Sequence, residues 1–229
     1  MSTLTFWQTF APDVDLKAPY TDRYRVSLGH HRLDLPLRPL PSGELAVASL
    51  LVNQTSFQVA DAMCAGLGRL AAEIKPDLVV GMPTLGLGLA AYVARHSGLE
   101  RYVPLSTSRK FWYDEKLSAP ISSITSPGTA KRLYLDPNLL SLVQAAKRII
   151  IVDDVISTGT SLSAGTDVLT AAGVTPHAAL CVMTQSNRWK NRFPFPILSC
   201  FSSPIFRRVN NGWIVDSYYD VSSVKQDDD

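Results

Sequence analysis

The chain has 229 residues, 46% of them hydrophobic and 18% charged, which is the composition of one globular α/β domain with extensions, large enough to bury a full core. A net charge of +2 with no block of Lys and Arg gives nucleic-acid binding no global electrostatic support, and no apolar run reaches the length of a membrane span. The N-terminus lacks a basic segment followed by an apolar core, so the expectation is a soluble cytoplasmic protein without membrane or nucleic-acid partners. Cys64, Cys181 and Cys200 have no CxxC spacing and read as free thiols in a reducing compartment; His30, His31, His96 and His177 are not at metal-ligand spacing.

In chain order, residues 25–37 alternate, with Val26 and Leu28, then Leu33, Leu35 and Leu37, on one face and Gly29 between the sets. This predicts a β-hairpin, broken afterwards by Pro36, Pro39 and Pro41. From Ser56 the spacing becomes helical, with Phe57, Ala60, Cys64, Leu67 and Ala71 on one stripe. Residues 78–82 read as a short apolar strand, 86–94 as a helix and 102–105 as another strand.

The loop between that first strand and its helix, Gly81-Met82-Pro83-Thr84-Leu85-Gly86-Leu87-Gly88, presents amides at a helix start and suits an anion. Gly86-Leu87-Gly88-Leu89-Ala90-Ala91 also fits the dinucleotide fingerprint GxGxxA, which predicts an acid at the end of the next strand. That strand runs instead into Ser106, Thr107 and Ser108, which argues against a dinucleotide. Gly88 is read as a packing glycine that lets the helix lie close to the sheet.

Residues 106–137 are long for an ordinary connection and rich in polar and special residues, among them Ser118, Pro120, Ser122, Ser123, Pro127 and Gly128; a mobile functional loop is expected. Two basic pairs flank it, Arg109-Lys110 and Lys131-Arg132. Arg109-Lys110 either neutralises a phosphate or is a solvated pair, and Lys131-Arg132 either covers a site on closure of the loop or simply starts a strand at 133–135. Phe111, Trp112 and Tyr113 either stack on a base or divide between core and surface.

A helix around 138–146 precedes the most informative run, Ile149-Ile150-Ile151-Val152-Asp153-Asp154-Val155-Ile156-Ser157-Thr158-Gly159-Thr160-Ser161. Four apolar residues end in two acids, followed by a loop of hydroxyls and glycine and then a helix at 161–172 that stops at Gly173. Paired carboxylates can accept hydrogen bonds from vicinal hydroxyls, and the loop at a helix N-terminus can hold a phosphate. The bland alternative is a buried strand whose acids merely cap the next helix. A strand at 178–183 and strand-like pieces at 197–206 and 213–219 follow, and Lys225 to Asp229 read as solvated and disordered. The alternation of strands and helices predicts a parallel doubly wound sheet.

The run at 149–161 resembles the phosphoribosyl pyrophosphate signature of type I phosphoribosyltransferases: hydrophobic strand, two acids, two apolar residues, a small residue, then Thr-Gly-x-Thr/Ser. In layout, the Val103-Pro104 strand followed by Arg109-Lys110 and a long loop is most similar to adenine phosphoribosyltransferases. The resemblance implies an α/β fold with a mainly parallel central sheet, helices on both faces, and a hood from the N- and C-terminal segments, residues 1–55 and 185–229, around a core at 56–184.

It further implies transfer of a phosphoribosyl group from phosphoribosyl pyrophosphate to a nucleobase, with Mg2+ as cofactor and a homodimer as the family's habit. Asp153 and Asp154 would bind the ribose hydroxyls and the metal shell, and Ser157, Thr158, Gly159, Thr160 and Ser161 the 5′-phosphate. Pro83, Thr84, Leu85 and Gly86 would form the pyrophosphate loop, with Arg109, Lys110, Lys131 and Arg132 near the pyrophosphate.

Ser157 stands where 6-oxopurine enzymes commonly carry Asp, which favours an acceptor of adenine type. Against this, Leu85 stands where adenine enzymes carry Arg, and aromatics rather than Pro-Gly-Lys follow the Arg109-Lys110 pair. A non-enzymatic regulator that senses the same ligand on the same fold is the alternative function.

Overall fold

A computed structural model describes residues 9–121 and 131–219. The alternating N-terminal pattern folds as a hairpin, β2 (Arg23–Leu28) against β3 (His31–Pro39), with Gly29 at φ +61° in the turn; β1 (Phe10–Ala11) also pairs with β3. The expected break does not occur at Pro36, because β3 runs through it, but the strand does end at Pro39. At Pro36 the strand changes partners, from Arg23 of β2 to β4 (Leu45–Ala48) at Leu37, and the Pro36 carbonyl accepts the Ser49 N–H at 2.9 Å, so the missing donor is not needed there.

Ser56 caps α1 (Phe57–Ile74), its hydroxyl accepting from the Val59 N–H. The buried stripe is Val59, Met63, Leu67 and Ala71; Phe57, expected inside, is 89% exposed, and Ala60 and Cys64 are half-buried. Tertiary contact sets this rotation. A Cβ on Gly66 would stand 2.7 Å from Cys200 Sγ, and one on Gly68 2.7 Å from the His96 ring, so the glycine side faces its neighbours closely.

The central sheet follows: β5 (Leu78–Gly81), α2 (Gly86–His96), β6 (Val103–Pro104), the hairpin β7 (Ser118–Ile121) and β8 (Lys131–Tyr134), α3 (Leu140–Ala145), β9 (Ile149–Ile156), α4 (Thr160–Ala171), β10 (Ala178–Gln185) and β11 (Ile197–Ser203). Its order is β11-β10-β9-β5-β6, every pairing parallel. The apolar runs are continuous because both faces are covered. Leu78, Val80, Ile149 and Ile151 pack with α3 and α4, while Val79, Ile150 and Val152 pack with α1, α2 and the hairpin of β2 and β3.

β12 (Ile205–Val209) and β13 (Gly212–Val215) pair with each other, and β12 joins β4, so one antiparallel sheet is drawn from both ends of the chain, the segments expected to form the hood. β11, expected in the hood segment, is instead the fifth strand of the central sheet, in register with β10 from Ala179↔Ile197 onward. The strand expected to reach 219 ends at Val215. Within the long interval the β7/β8 hairpin is ordered; Ser122, Ser123, Pro127, Gly128 and the tail Lys225 to Asp229 lie outside the described residues. Among the described residues no helix is long and apolar enough to cross a membrane.

Candidate functional site

β5 ends opposite Val152, where Gly81 is its last partner, but β9 continues on the β10 side as far as Ile156, paired with Thr184. Asp153 and Asp154 therefore stand inside the strand, not just beyond it as the sequence suggests. On the β5 flank the chain has already turned away, which opens a crevice at the carboxyl ends of the strands where the strand order reverses.

Asp153 is 8% exposed and its Oδ1 accepts the Asp154 N–H at 2.9 Å. Burial, and then the Asp154 charge, push its carboxyl well above the usual carboxylate range. Asp154 is also raised, by burial first. The pair is thus poised to take up a cation or hydroxyl donors that relieve its buried charge.

The loop after β9 turns at Gly159, φ +80°, and opens the twelve-residue α4 at Thr160. Thr158 Oγ1 and Thr160 Oγ1 are 2.9 Å apart, and a concavity of about 100 Å³ runs from Asp153 past the loop to Leu162. The expected residues Ser157, Thr158, Gly159, Thr160 and Ser161 all line it. Amides at the start of a helix, with hydroxyls beside them, suit a phosphate.

The second loop, Pro83-Thr84-Leu85, joins β5 to α2, and its Pro83–Thr84 peptide is cis. Gly86 lies directly on β9, since a Cβ there would stand 2.7 Å from the Val152 carbonyl oxygen and 2.9 Å from Asp153 Cα. Both loops therefore border Asp153. The close approach assigned to Gly88 belongs to Gly86: Gly88 is exposed and a Cβ there would meet nothing within 4 Å.

The basic residues are not gathered on the loops. Arg109 Nη1 lies 3.0 Å from Glu115 Oε1, and Arg132 Nε lies 3.2 Å from Glu115 Oε2. Arg132 also donates to the Ser118 hydroxyl, while Lys110 and Lys131 are exposed. The aromatic run divides: Phe111 is 96% exposed, Trp112 Nε1 donates to Asp136 Oδ2 at 3.3 Å, and Tyr113 packs against Tyr134.

Several residues at the site were not singled out by sequence. Buried Gln185, at the end of β10, accepts the Ser157 hydroxyl at 3.1 Å and donates Nε2 to the Ala48 carbonyl at 2.9 Å. Arg188 Nη2 donates to Ser157 Oγ at 2.9 Å, and Arg192 donates to the Thr158 carbonyl. The Phe193 ring backs Gly159, where a Cβ would come within 2.9 Å of it. The available signal was the run Arg188-Trp189-Lys190-Asn191-Arg192-Phe193 directly after a buried strand. Asp153 and Asp154 are the carboxylates that could hold a divalent cation; among the described residues no group of three or more His, Cys, Asp and Glu side chains converges. The cysteines are free, with burial pushing Cys64 up to about 11 and Cys200 to about 12.

The family model of the phosphoribosyl transferase domain matches residues 46–220. A curated relative, the transcriptional regulator GfcR of Methanoculleus marisnigri, is 37% identical over 110 residues, 47% of this chain and 44% of that protein, so the chain spans less than half of the relative's length. Among solved structures, the adenine phosphoribosyltransferase of Saccharomyces cerevisiae, in complex with adenine and an imino-altritol bisphosphate, aligns with a TM-score of 0.54 at 19% identity, over 72% of this chain and 93% of that one. The adenine enzyme of Trypanosoma brucei aligns at 0.55 and 13% identity over 85% and 86%, and the orotate phosphoribosyltransferase of Aeropyrum pernix at 0.50 and 18% over 72% and 85%. At these identities the likeness carries the fold. With the matched region reaching from the end of the hood's first strands through both loops and all five parallel strands, the chain belongs to the phosphoribosyl transferase domain family and has its type I fold.

Proposed function

We propose that the protein transfers the 5-phosphoribosyl group of phosphoribosyl pyrophosphate to a nucleobase and releases pyrophosphate. The observation that carries this reading is that, at the switch point of the sheet, Gly86 of one loop lies against Asp153 while the loop 157–161 shares a concavity with it. Loop 157–161 takes the 5′-phosphate, Asp153 and Asp154 the ribose hydroxyls, and loop 83–86 the pyrophosphate.

Strand order then orients the reaction. The leaving group lies on the β5 side, so inversion at C1′ brings the acceptor from the β10 side, beneath Gln185 and Arg188. The acceptor nitrogen forms its bond to C1′, the C1′–oxygen bond breaks with its electron pair leaving on pyrophosphate, and the acceptor sheds its N–H proton. The ribose carries positive charge at the transition state, and the ionised Asp pair stabilises it; the loop amides fix the phosphate so that the reactants stay in line. Arg109, Lys110, Lys131 and Arg132 supply positive charge for the departing pyrophosphate.

Two adjacent buried carboxylates beside substrate oxygens fit Mg2+, which combines few protein carboxylates with phosphate oxygens; bound by Asp153 and Asp154, it would neutralise charge on the diphosphate. Ser157, already bonded to Gln185 and Arg188, offers no carboxylate to a purine ring, so adenine heads the acceptors to try. A homodimer in the cytoplasm completes the proposal.

The second reading, a regulator that binds the same donor without turning it over, is favoured by the likeness to GfcR. One assay separates them: pyrophosphate release on mixing the protein with phosphoribosyl pyrophosphate, Mg2+ and adenine, xanthine, guanine, hypoxanthine, uracil or orotate. Release with any base that is lost in Asp154→Asn supports transfer. Donor binding without release across the panel supports the regulator.

A further inference from the structure

Two arginines from opposite ends of the long interval converge on one carboxylate. Arg109 follows β6, the neighbour of β5 at the carboxyl edge, and Arg132 sits on β8, whose end Tyr134 bridges back to Ser106 beyond β6. Between them Glu115 gives one oxygen to each, at 3.0 Å and 3.2 Å. The backbone around Glu115 has further holds of its own. Asp114 Oδ1 accepts the Lys116 N–H at 2.9 Å to cap the turn Glu115–Leu117, Leu117 is buried under the hairpin, and the Leu135 N–H bonds the Leu117 carbonyl. The Ser118 hydroxyl donates to the Glu115 carbonyl and receives Arg132.

A pair of guanidiniums converging on carboxylate oxygens is also the arrangement that binds a phosphate. We propose that Glu115 is a positioning residue, an internal counter-anion that holds Arg109 and Arg132 together on the leaving-group side and gives them up to pyrophosphate. The inference rests on the reading of that side as the pyrophosphate side. All three side chains are partly exposed, so the resting ion pairs are weak and exchange is cheap. Neutral in sum with one arginine, Glu115 lowers the positive charge that the diphosphate meets, and so keeps pyrophosphate from binding too tightly to leave.

The test is calorimetric titration with inorganic pyrophosphate plus Mg2+, and separately with ribose 5-phosphate. Glu115→Gln keeps the size of the side chain and is expected to tighten pyrophosphate binding by about three-fold or more, the scale of an exposed ion pair, with ribose 5-phosphate affinity unchanged. Adding Arg109→Gln to Glu115→Gln should remove the gain. Unchanged or weaker pyrophosphate binding in a normally melting Glu115→Gln protein overturns the proposal, as does the absence of pyrophosphate binding in both proteins. A gain in affinity is not what loss of a structural contact would give. Tightening without pyrophosphate release from any base leaves this inference standing and sinks the transfer reaction; release without tightening does the reverse.

Discussion

Gly86 and Asp153 are in contact across the switch point: a methyl on Gly86 would fall 3.1 Å from the Asp153 carboxylate and closer still to the backbone that carries it. The residue that opens α2 is thereby pinned to the first of the two acids in β9, and the approach of that helix to the strand is fixed by backbone. Gly86→Ala must push α2 off β9, because the atoms it meets are backbone and cannot rotate away. Overpacking of this kind costs about 1–3 kcal/mol. The expected outcome is a lower melting temperature together with weaker donor binding, whereas Gly88→Ala, in open space, leaves both unchanged or raises stability slightly. Thermal unfolding and donor titration of the two variants check the contrast.

The raised carboxyls make the ligand-free protein pH-sensitive in a definite direction. A carboxyl whose folded pKa exceeds its unfolded value binds more protons in the native state, so stability falls as pH climbs from the ordinary carboxylate range through the raised values, and is level above them. Asp153→Asn keeps an acceptor for the Asp154 N–H and removes the buried charge. It should melt about 2–4 °C higher than the parent at neutral pH, the shift that roughly 1 kcal/mol gives at this size, with the gain shrinking toward pH 4. Asp22, lowered by its bond to Arg23, works in the opposite sense in both proteins and drops out of the difference.

Asp154→Asn separates chemistry from fold. Asp154 is half-buried inside β9, where the strand's ladder to β10 does not depend on the carboxylate. Turnover should fall by roughly 10²-fold, the usual loss when one preorganised charge is removed from a transition state, with melting unchanged or raised. Steady-state pyrophosphate release under saturating Mg2+ is the measurement; an unchanged rate would contradict the role assigned to this residue.

How far the sequence carried the fold follows from what each element depends on. β9 and its acids were legible because a parallel strand covered on both faces has to be continuously apolar, so Asp153 and Asp154 stand out at the end of Ile149 to Val152. The places of the two loops were legible because glycine and hydroxyls after an apolar run mark a strand's end and a helix's start. The rotation of α1 was not, since Gly66 against Cys200 and Gly68 against His96 decide it, and both partners are remote in sequence. The same holds for Pro36, tolerated only because β3 exchanges β2 for β4 at that point, and for Gly86 over Gly88. Glu115 and Gln185 carry no local pattern; their partners come from other elements.

Gln185 ties three elements with one side chain: it ends β10, receives the Ser157 hydroxyl of the phosphate loop, and bonds the Ala48 carbonyl at the end of β4 in the hood. Gln185→Leu keeps comparable volume but strands the buried Ala48 carbonyl without its donor, a loss of about 1–3 kcal/mol. Gln185→Glu keeps an acceptor for Ser157 and sets a second acceptor against the Ala48 carbonyl, which a protonated carboxyl would relieve. Gln185→Leu should therefore be destabilised at every pH, while Gln185→Glu should be destabilised most at neutral pH and recover as the pH falls. Both should weaken donor binding, because the hydroxyl that Gln185 orients belongs to the loop proposed to hold the 5′-phosphate. Melting curves of the two variants across pH, beside donor titrations, decide the matter: parallel pH profiles would show that the amide does not bridge loop and hood.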